Sequence, residues 1–258
     1  MTGKFELIRL DSCPSTNEYL KEPLAVGIDR NLPVFVLAKQ QTAGLGRLGR
    51  GWRSPTGGVY LSLLWPTELT PEQALCLPLI TALAARFALQ PMTSKNIVIK
   101  WPNDLLVIVN NNRQKLAGIL VELTGGQAII GIGVNIYQNK QAPEESDGGR
   151  PPAWLAPEQL SQADGEKLVE QAAQAIIESL LEYLKRWHTA GSRFTGFAEE
   201  YSLHLDLIGE YVEARDRLGE LLAAGIIHGI DNSGQLLIQN EQGITEISSG
   251  EVTFRTPL

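Results

Sequence analysis

Two neighbouring segments in the middle of the chain hold residue types that act on phosphates and carboxylates. Lys100-Trp101-Pro102-Asn103-Asp104 ends one apolar run, and Lys115 opens another, KLAGILVE. A lysine supplies a cation for an anionic group, and Asn and Asp supply oxygens for a nucleotide or a metal ion. Gly118 keeps the second run narrow, which permits close approach to its backbone. Each segment has a structural explanation when taken alone, but together they indicate a binding site.

A third segment, TAGLGRLGRGW over residues 42–52, has the spacing G-x-G-x-x-G at Gly44, Gly46 and Gly49. A dinucleotide-binding turn has that spacing, but its glycines must open directly into a helix. Here Pro55 and the Gly-Gly pair after it exclude a sustained helix, and residues 59–65 have the composition of another strand. The segment is therefore interpreted as a glycine-rich loop between two strands.

Arg47, Arg50 and Arg53 recur through this loop. Guanidinium groups on a flexible backbone suit an anion such as a phosphate. The alternative is a solvated turn with scattered arginines, and the loop alone leaves both interpretations open. Ser15-Thr16-Asn17 is similarly either a set of small polar ligand contacts or a plain helix cap.

The composition limits the classes of function. The 258 residues carry a net charge of -7, which argues against a general nucleic-acid binder because that class needs a basic surface. Cys13, Cys76 and the three histidines have no metal-ligand spacing, and both cysteines are expected in or near the core. The N-terminal residues lack an apolar signal region, and no apolar run approaches roughly 18 residues. A cytoplasmic protein without membrane contact is expected.

Helix signals occur in three places. Thr70-Pro71-Glu72-Gln73 combines an N-cap, a proline at the first helical position and a capping-box glutamine, and predicts a buried helix to about Leu89. Pro78 is expected to kink this helix or to mark its start. Apolar residues between Asp164 and Trp187 recur at helical spacing and predict a helix with one buried face. A short helix is expected over 15–21.

Runs of β-branched and apolar residues predict the strands. The runs are 6–9, 34–38, 59–65, 97–100, 105–109, 116–123 and 128–134. Short turns join several of them, which implies an α+β fold with a mixed, largely antiparallel sheet packed with helices.

Two later regions differ in composition from this part. Residues 138–158 are rich in proline, glycine and charge and are interpreted as an exposed loop or lid, in which Trp154 either anchors the loop or covers a planar ligand. After about residue 206, short strand-like runs separated by turn signals suit a small β-barrel of about 50 residues. Two domains are therefore predicted, 1–205 and 206–258.

In their order along the chain these segments resemble the biotin protein ligases, which attach biotin to a lysine of a carboxylase carrier domain. The matching segments are DSCPSTNEYL, QTAGLGRLGRGW, KWPNDLLV, KLAGILVE and GIGVNI, followed by HGID and SGEVTFR. They extend over nearly the whole chain, and KWPND closely followed by KLAGIL is highly specific. The resemblance implies a class II synthetase-like catalytic domain and a C-terminal SH3-like β-barrel. It also implies that biotin and MgATP give biotinyl-5'-AMP and pyrophosphate, and that biotin then passes to the carrier lysine.

The resemblance assigns ligand contacts by position. The expected biotin contacts are Ser15, Thr16, Asn17, Gln41, Gly44, Leu45, Gly46, Arg47, Lys115 and Gly118. The expected nucleotide contacts are Arg47, Arg50, Trp52, Lys100, Asn103, Asn135 and Trp154. Short hydroxyls and amides suit the carbonyl and two N–H groups of the ureido ring, which a selective pocket must pair.

Lys115, Arg47 and Asp104 are the expected catalytic residues. Adenylation brings a carboxylate against an anionic α-phosphate, so the cations at Arg47 and Lys115 stabilise the transition state and Mg²⁺ offsets the triphosphate. Asp104 is expected to bind Mg²⁺ or to orient the incoming lysine, whose deprotonation costs roughly 4 kcal/mol near neutral pH. Positioning and electrostatics are favoured over general base catalysis.

ATP, biotin and Mg²⁺ are expected as substrates and metal, with no permanently bound cofactor. The expected partner is the biotin carboxyl carrier protein of acetyl-CoA carboxylase, and the protein is expected as a monomer or homodimer. The catalytic motif begins by residue 11, so the DNA-reading domain of some relatives is not expected here. No nucleic-acid partner is therefore expected.

The chain departs from the family at Leu45 and Leu48, where relatives usually or often have arginine. Faster release of the adenylate than in an arginine-rich relative is therefore expected. Two rival functions are weighed against the biotin ligase. A lipoate protein ligase shares the fold and the adenylate chemistry, but KWPND, KLAGILVE and the C-terminal barrel favour biotin. A non-enzymatic binding module predicts that Lys115→Ala leaves function unchanged.

Overall fold

A seven-stranded mixed sheet forms the larger part of the protein. The structure is a computed structural model, and it describes residues 4–21, 28–29, 31–110, 112–138, 150–156, 160–216 and 218–254. The strands are β1 (Glu6–Leu10), β2 (Val34–Ala38), β3 (Gly58–Glu68), β4 (Ile97–Lys100), β5 (Asp104–Val109), β6 (Asn112–Thr124) and β7 (Gln127–Asn135). All seven predicted strands are present, several of them a few residues longer than predicted.

The strands lie in the order β1-β2-β3-β7-β6-β5-β4. Only β1 and β2 pair in parallel, and helix α1 (Thr16–Lys21) lies in the connection between them. All other pairs in the sheet are antiparallel, and short turns such as Gly125-Gly126 return some of the strands beside their predecessors. The prediction of a mixed, largely antiparallel sheet is confirmed.

Two long helices cover one face of the sheet. α2 (Pro71–Leu89) begins at the predicted capping box, with Thr70 and Gln73 each accepting from the other's backbone N–H. Pro78 lies inside α2 and does not mark its start. α3 (Gln162–Thr189) packs on α2, and its Ser179 hydroxyl donates to the Ala84 carbonyl at 2.9 Å. A short helix, α4 (Ala198–Ser202), follows.

α2 is the one described helix long and apolar enough to cross a membrane by length and composition alone, over Pro71–Met92. Most of this segment is buried inside the protein, between the sheet and α3. Its apolar composition is therefore accounted for by its place in the core. Cys13 and Cys76 are both buried, as the composition predicts. Burial raises the pKa of the Cys76 thiol to about 11.

The C-terminal residues form a second, antiparallel sheet. Its strands are β8 (Tyr211–Arg215), β9 (Leu221–Ile230), β10 (Leu236–Asn240), β11 (Gly243–Ile247) and β12 (Glu251–Phe254). They lie in the order β11-β10-β9-β8-β12, so β11 and β12 are the edges. The expected α+β domain followed by a small β-domain is confirmed.

The predicted boundary at 205/206 falls in a segment that hydrogen-bonds to the first sheet. Ile99 donates to the His204 carbonyl at 2.8 Å, and Asp206 N donates to the Ile99 carbonyl at 2.8 Å. The buried carboxylate of Asp206 also forms an ion pair with Arg113 at 2.8 Å. The chain therefore borders β4 before entering the second sheet, and the boundary itself stays a prediction.

Candidate active site

A cleft enclosing about 990 Å³, part of it open to solvent, lies over the middle of the first sheet. We call residues 42–53, which carry the glycines of the G-x-G-x-x-G spacing and Arg47, Arg50 and Arg53, the glycine-arginine loop. The cleft is bordered by this loop, by the start of α1 and by the turn between β4 and β5. Its wall brings together the predicted residues Ser15, Thr16, Asn17, Gln41, Leu45, Gly46, Arg47, Arg50, Trp52, Lys100, Asn103, Asp104, Lys115 and Gly118. Residues that are distant in sequence and that carry the predicted chemistry therefore share one site.

Three glycines form the floor of the cleft. The register places Gly118 opposite Gly133 on neighbouring strands, and Gly131 lies two residues before Gly133. A Cβ at Gly133 would lie 2.3 Å from Nε1 of Trp52, and one at Gly131 would lie 2.4 Å from Oδ1 of Asn17. Real side chains do not approach this closely, so the floor has room for the Trp52 indole and a ligand only because it is glycine.

A cluster of hydrogen-bonding side chains lies at one end of the cleft. We call it the polar corner, and its members are Thr16, Asn17, Gln41, Ser54 and Ser62. The backbone N–H and hydroxyl of Thr16 donate to Gln41 Oε1 at 2.8 and 3.1 Å, and Gln41 Nε2 donates to the Ser54 hydroxyl at 2.8 Å. Such fixed amides and hydroxyls can recognise a small planar ligand with both donors and acceptors.

An ion pair lies at the other end. Nζ of Lys115 is 2.9 Å from Oδ1 of Asp104, and each side chain is less than one-sixth exposed, at 13% and 14%. The two atoms are close but not aligned for a hydrogen bond, so the contact is chiefly one of charge. Lys115 also lies 5.4 Å from the centre of the Trp52 ring. Burial, with the charge of Asp104, raises the pKa of the nearby Tyr201 well above its ordinary value.

Strand pairing sets the position of Lys115. Its N–H donates to the Pro151 carbonyl at 2.9 Å, and its own carbonyl accepts from Ala153 at 2.8 Å. The segment around Pro152 thus lies parallel to the first part of β6. On the other side of β6, the register to β5 shifts by one residue between Leu105 and Leu106. These backbone contacts position Lys115 beside Asp104.

Arg47 connects the glycine-arginine loop to the turn after β4. Its guanidinium donates to Oδ1 of Asn103 at 2.7 Å, and the Asn103 amide donates to the Ile119 carbonyl at 2.9 Å. The loop makes a short 3-10 turn over Arg47–Gly49, in which Leu48 adopts the left-handed region at φ 60°. Leu45 lies on the cleft wall and Leu48 does not, although both side chains are exposed.

The described wall of the cleft is strongly cationic. Five of its side chains carry positive charge, and one, Asp104, carries negative charge; the cations are Arg47, Arg50, Lys100, Lys115 and Arg150. Sequence reasoning did not identify Arg150, because it lies in the proline-rich lid and belongs to no motif. The pairing of the next three residues with Lys115 places it at the cleft. Such an excess of cations suits a polyanionic ligand.

Three predicted contacts are not on the described cleft wall. Gly44 lies behind it, where a Cβ would be 2.4 Å from the Trp52 carbonyl. Asn135 is buried and donates to the Lys115 carbonyl at 3.3 Å. The Trp154 carbonyl accepts from Lys95 Nζ at 2.6 Å. Most of the predicted lid, residues 139–149 and 157–158, lies outside the described residues, and the ligand contacts of all three stay predictions.

The described residues contain no group of three or more His, Cys, Asp or Glu side chains that could hold a metal by themselves. Mg²⁺ does not require such a group, because it usually takes one or two carboxylates together with substrate phosphates and water. Asp104 is a fitting ligand of this kind, although its Oδ1 faces Lys115 in the structure.

Comparison with known proteins gives matches to both parts of the chain. Residues 10–139 match the model of the biotin/lipoate A/B protein ligase family, and residues 207–255 match that of the biotin protein ligase C terminal domain. The biotin--[acetyl-CoA-carboxylase] ligase of Paracoccus denitrificans is 34% identical over 93% of this chain and 97% of its own. The bifunctional ligase/repressor BirA of Salmonella typhimurium is 31% identical over 94% of this chain and 72% of its own.

Among solved structures, the biotin protein ligase from Aquifex aeolicus in complex with biotin and ATP superposes with a TM-score of 0.77. It is 30% identical, and the match covers 98% of this chain and 99% of that one. Family models, full-length relatives and the fold therefore agree, and the chain belongs to the biotin/lipoate A/B protein ligase family, as a biotin protein ligase.

Proposed function

We propose that the protein is a biotin--[acetyl-CoA-carboxylase] ligase. In the first step an oxygen of the biotin carboxylate bonds to the α-phosphorus of ATP, and the bond from that phosphorus to pyrophosphate breaks. In the second step the nitrogen of a carrier lysine bonds to the acyl carbon, AMP leaves, and the lysine loses a proton. The observation that carries the proposal is the single cleft with a polar corner at one end and the Arg47, Lys115 and Asp104 cluster at the other.

Different residues of the cleft contact different groups of the substrates, according to their chemistry. The polar corner pairs with the ureido ring, and the glycine floor with Trp52 admits the bicyclic body of biotin. Lys115 and Arg47 then neutralise the carboxylate and the α-phosphate as they approach each other, which stabilises the transition state. Mg²⁺, when bound, offsets the charge of the triphosphate, and Asp104 is the residue suited to hold it.

For the second step, Asp104 orients the incoming lysine rather than acting as a strong base. Its carboxylate is paired with Lys115, and a carboxylate is a much weaker base than the amine from which it would take a proton. Binding geometry therefore contributes more than proton abstraction. We propose the biotin carboxyl carrier protein as the acceptor and the cytoplasm as the place of action, with the enzyme as a monomer or homodimer.

Pyrophosphate exchange into ATP tests the first step. Exchange that depends on biotin, and that free lipoate neither supports nor inhibits, supports the biotin ligase over a lipoate ligase. Addition of a carrier domain tests the second step, and mass spectrometry should then show one biotin on one lysine. Absence of both exchange and adduct would overturn the proposal.

A further inference from the structure

The amide of Asn17 lies between the cleft and a charged pair that the proposed reaction does not use. Its Nδ2 donates to Oε2 of Glu122 at 2.8 Å, while its Oδ1 accepts from the Ser62 hydroxyl at 2.6 Å. Nζ of Lys21 donates to the other oxygen of Glu122 at 2.8 Å. Asn17 and Ser62 are almost completely buried. The carboxylate of Glu122 can only accept, so the NH₂ group of Asn17 must be the group that faces it.

The orientation of the Gln41 amide, on the far side of the polar corner, follows from the same reasoning. Ser54 donates to the Trp52 carbonyl at 2.9 Å and therefore accepts from Gln41 Nε2, which leaves Gln41 Oε1 to accept from the N–H and the hydroxyl of Thr16. The carbonyl, like the carboxylate, has no proton to give. Acceptors at both ends therefore fix the orientations of the two amides between them.

We propose that Glu122 is a positioning residue for biotin, holding the Asn17 amide with its oxygen toward the cleft, where it accepts from a ureido N–H. The inference rests on the proposed function. Its geometric support is the cleft floor, because Oδ1 of Asn17 lies where a Cβ on Gly131 would be only 2.4 Å away. Both residues line the cleft, so this oxygen borders the space that a ligand would occupy.

Lys21 makes the arrangement sensitive to the charge of Glu122. Burial lowers the pKa of Lys21, but the hydrogen bonds and charges of Glu122 and Glu18 outweigh that effect and hold the pKa above its ordinary value. Lys21 is therefore a cation that requires an oxygen at Glu122 Oε1. In Glu122→Gln the single oxygen goes to Lys21, and the new NH₂ group faces Asn17. The Asn17 amide must then reverse and turn its own NH₂ group toward Ser62 and the cleft.

Steady-state pyrophosphate exchange with Glu122→Gln tests this positioning. The KM for biotin should rise about tenfold, the effect of losing one hydrogen bond of about 1.4 kcal/mol, while kcat and the KM for ATP stay near wild type. Glu18→Gln is the matched control, because Glu18 bonds Lys21 at 2.6 Å but makes no contact with Asn17 among the described hydrogen bonds. It should leave the KM for biotin unchanged.

A double variant distinguishes a reversed Asn17 amide from a general loss of structure around the site. The double variant Lys21→Met with Glu122→Gln lacks the ammonium that would otherwise donate to the amide oxygen at position 122. That oxygen can then accept from Asn17 again, and the KM for biotin should return toward wild type. A KM that stays high in the double variant, or a rise shared equally by biotin and ATP, would overturn the positioning role.

Two further measurements keep this inference separate from the proposed function. Thermal unfolding of each variant shows that it is folded. Wild type without biotin-dependent exchange would refute the proposed function itself, whereas an active wild type with an unaffected Glu122→Gln variant would refute only this inference.

Discussion

The ammonium of Lys115 on β6 and the carboxylate of Asp104 on β5 lie 2.9 Å apart, although the strand register pairs Lys115 with Leu106 and Asp104 with Gly118. Both side chains are nearly buried, and both line the cleft. Lys115 must contact biotin's carboxylate and the phosphate if it serves the proposed reaction, so ligand binding and the ion pair compete for the same ammonium. The pair therefore keeps a cation in place before the substrates arrive and limits the cost of burying it.

Lys115→Met should reduce adenylate formation by about 10²-fold to 10³-fold, because a preorganised cation is removed from the transition state. It should also lower the melting temperature, because Asp104 is left as an uncompensated buried charge. Lys115→Met with Asp104→Asn should recover the stability but not the activity. Recovery of activity in the double variant would contradict the role given to Lys115.

Leu45→Arg should slow the dissociation of biotinyl-adenylate by about tenfold, because a guanidinium on the cleft wall adds a charge-assisted hydrogen bond to the phosphate. Leu48→Arg adds the same charge to the same loop, but Leu48 is not on the described cleft wall, so its effect should be much smaller. Stopped-flow measurement of adenylate release provides the comparison. If wild type releases the adenylate no faster than Leu45→Arg, the expectation is wrong.

Arg150→Gln should raise the KM for ATP while leaving biotin binding unchanged, because Arg150 is one of the five cations of the cleft and lies near Lys115 through backbone pairing. A lost charge-assisted contact corresponds to about tenfold. Arg53→Gln is the control, since Arg53 is an exposed arginine of the same loop that does not line the cleft. Equal effects of the two variants would show that only net charge matters.

Gly133→Ala should displace Trp52, because the new Cβ would lie 2.3 Å from the indole Nε1. Overpacking of this kind costs about 1–3 kcal/mol, and the KM for biotin should rise with it. Gly196→Ala is the control, since a Cβ there meets nothing within 4 Å. Adding Trp52→Ala to Gly133→Ala should restore the melting temperature. A Gly133→Ala variant with the tryptophan fluorescence and biotin affinity of wild type would rule out the steric contact.

His204 should make the protein less stable in mild acid. Burial, followed by the charge of Arg86, lowers the pKa of His204 below its ordinary value of 6.5 in the folded state. The unfolded chain therefore binds the proton first, and stability is lost as the pH falls through the window below 6.5. His204→Gln keeps the backbone hydrogen bond from Ile99 and should lose less stability between about pH 7 and pH 5. Identical melting curves for variant and wild type across that range would exclude His204 as a cause of the lower stability in acid.

Most of the fold could be predicted from the sequence, because interactions between residues close in the chain determine where its helices and strands begin and end. The capping box at Thr70 and Gln73 placed the start of α2, since both hydrogen bonds form within four residues. The buried strands β2 and β4 have the predicted bounds, because each is a short apolar run that ends at polar or turn residues. Residues in the quoted motifs largely converge on the cleft, because most of the motifs lie at or beside the ends of elements and KLAGILVE lies within β6 next to them.

Contacts that depend on long-range register could not be predicted. Arg150 reaches the cleft only because Pro151 and Ala153 hydrogen-bond to Lys115, and no periodicity marks that pairing. Asn135 donates to the Lys115 carbonyl, a contact between residues 20 positions apart that no local signal marks, and its expected contact with the nucleotide stays a prediction. The role of Glu122 is equally hidden in sequence, because its partner Asn17 is 105 residues away.

The turn between β9 and β10 contacts the turn after β4. Trp101 Nε1 donates to the Gly234 carbonyl at 3.1 Å, and Gly250, still later in the chain, lines the cleft. The cleft is therefore complete only when residues of the second sheet have folded against the first. A chain truncated after the first sheet would lack this part of the wall, so the second sheet completes the cleft in which we propose that the acyl-adenylate forms.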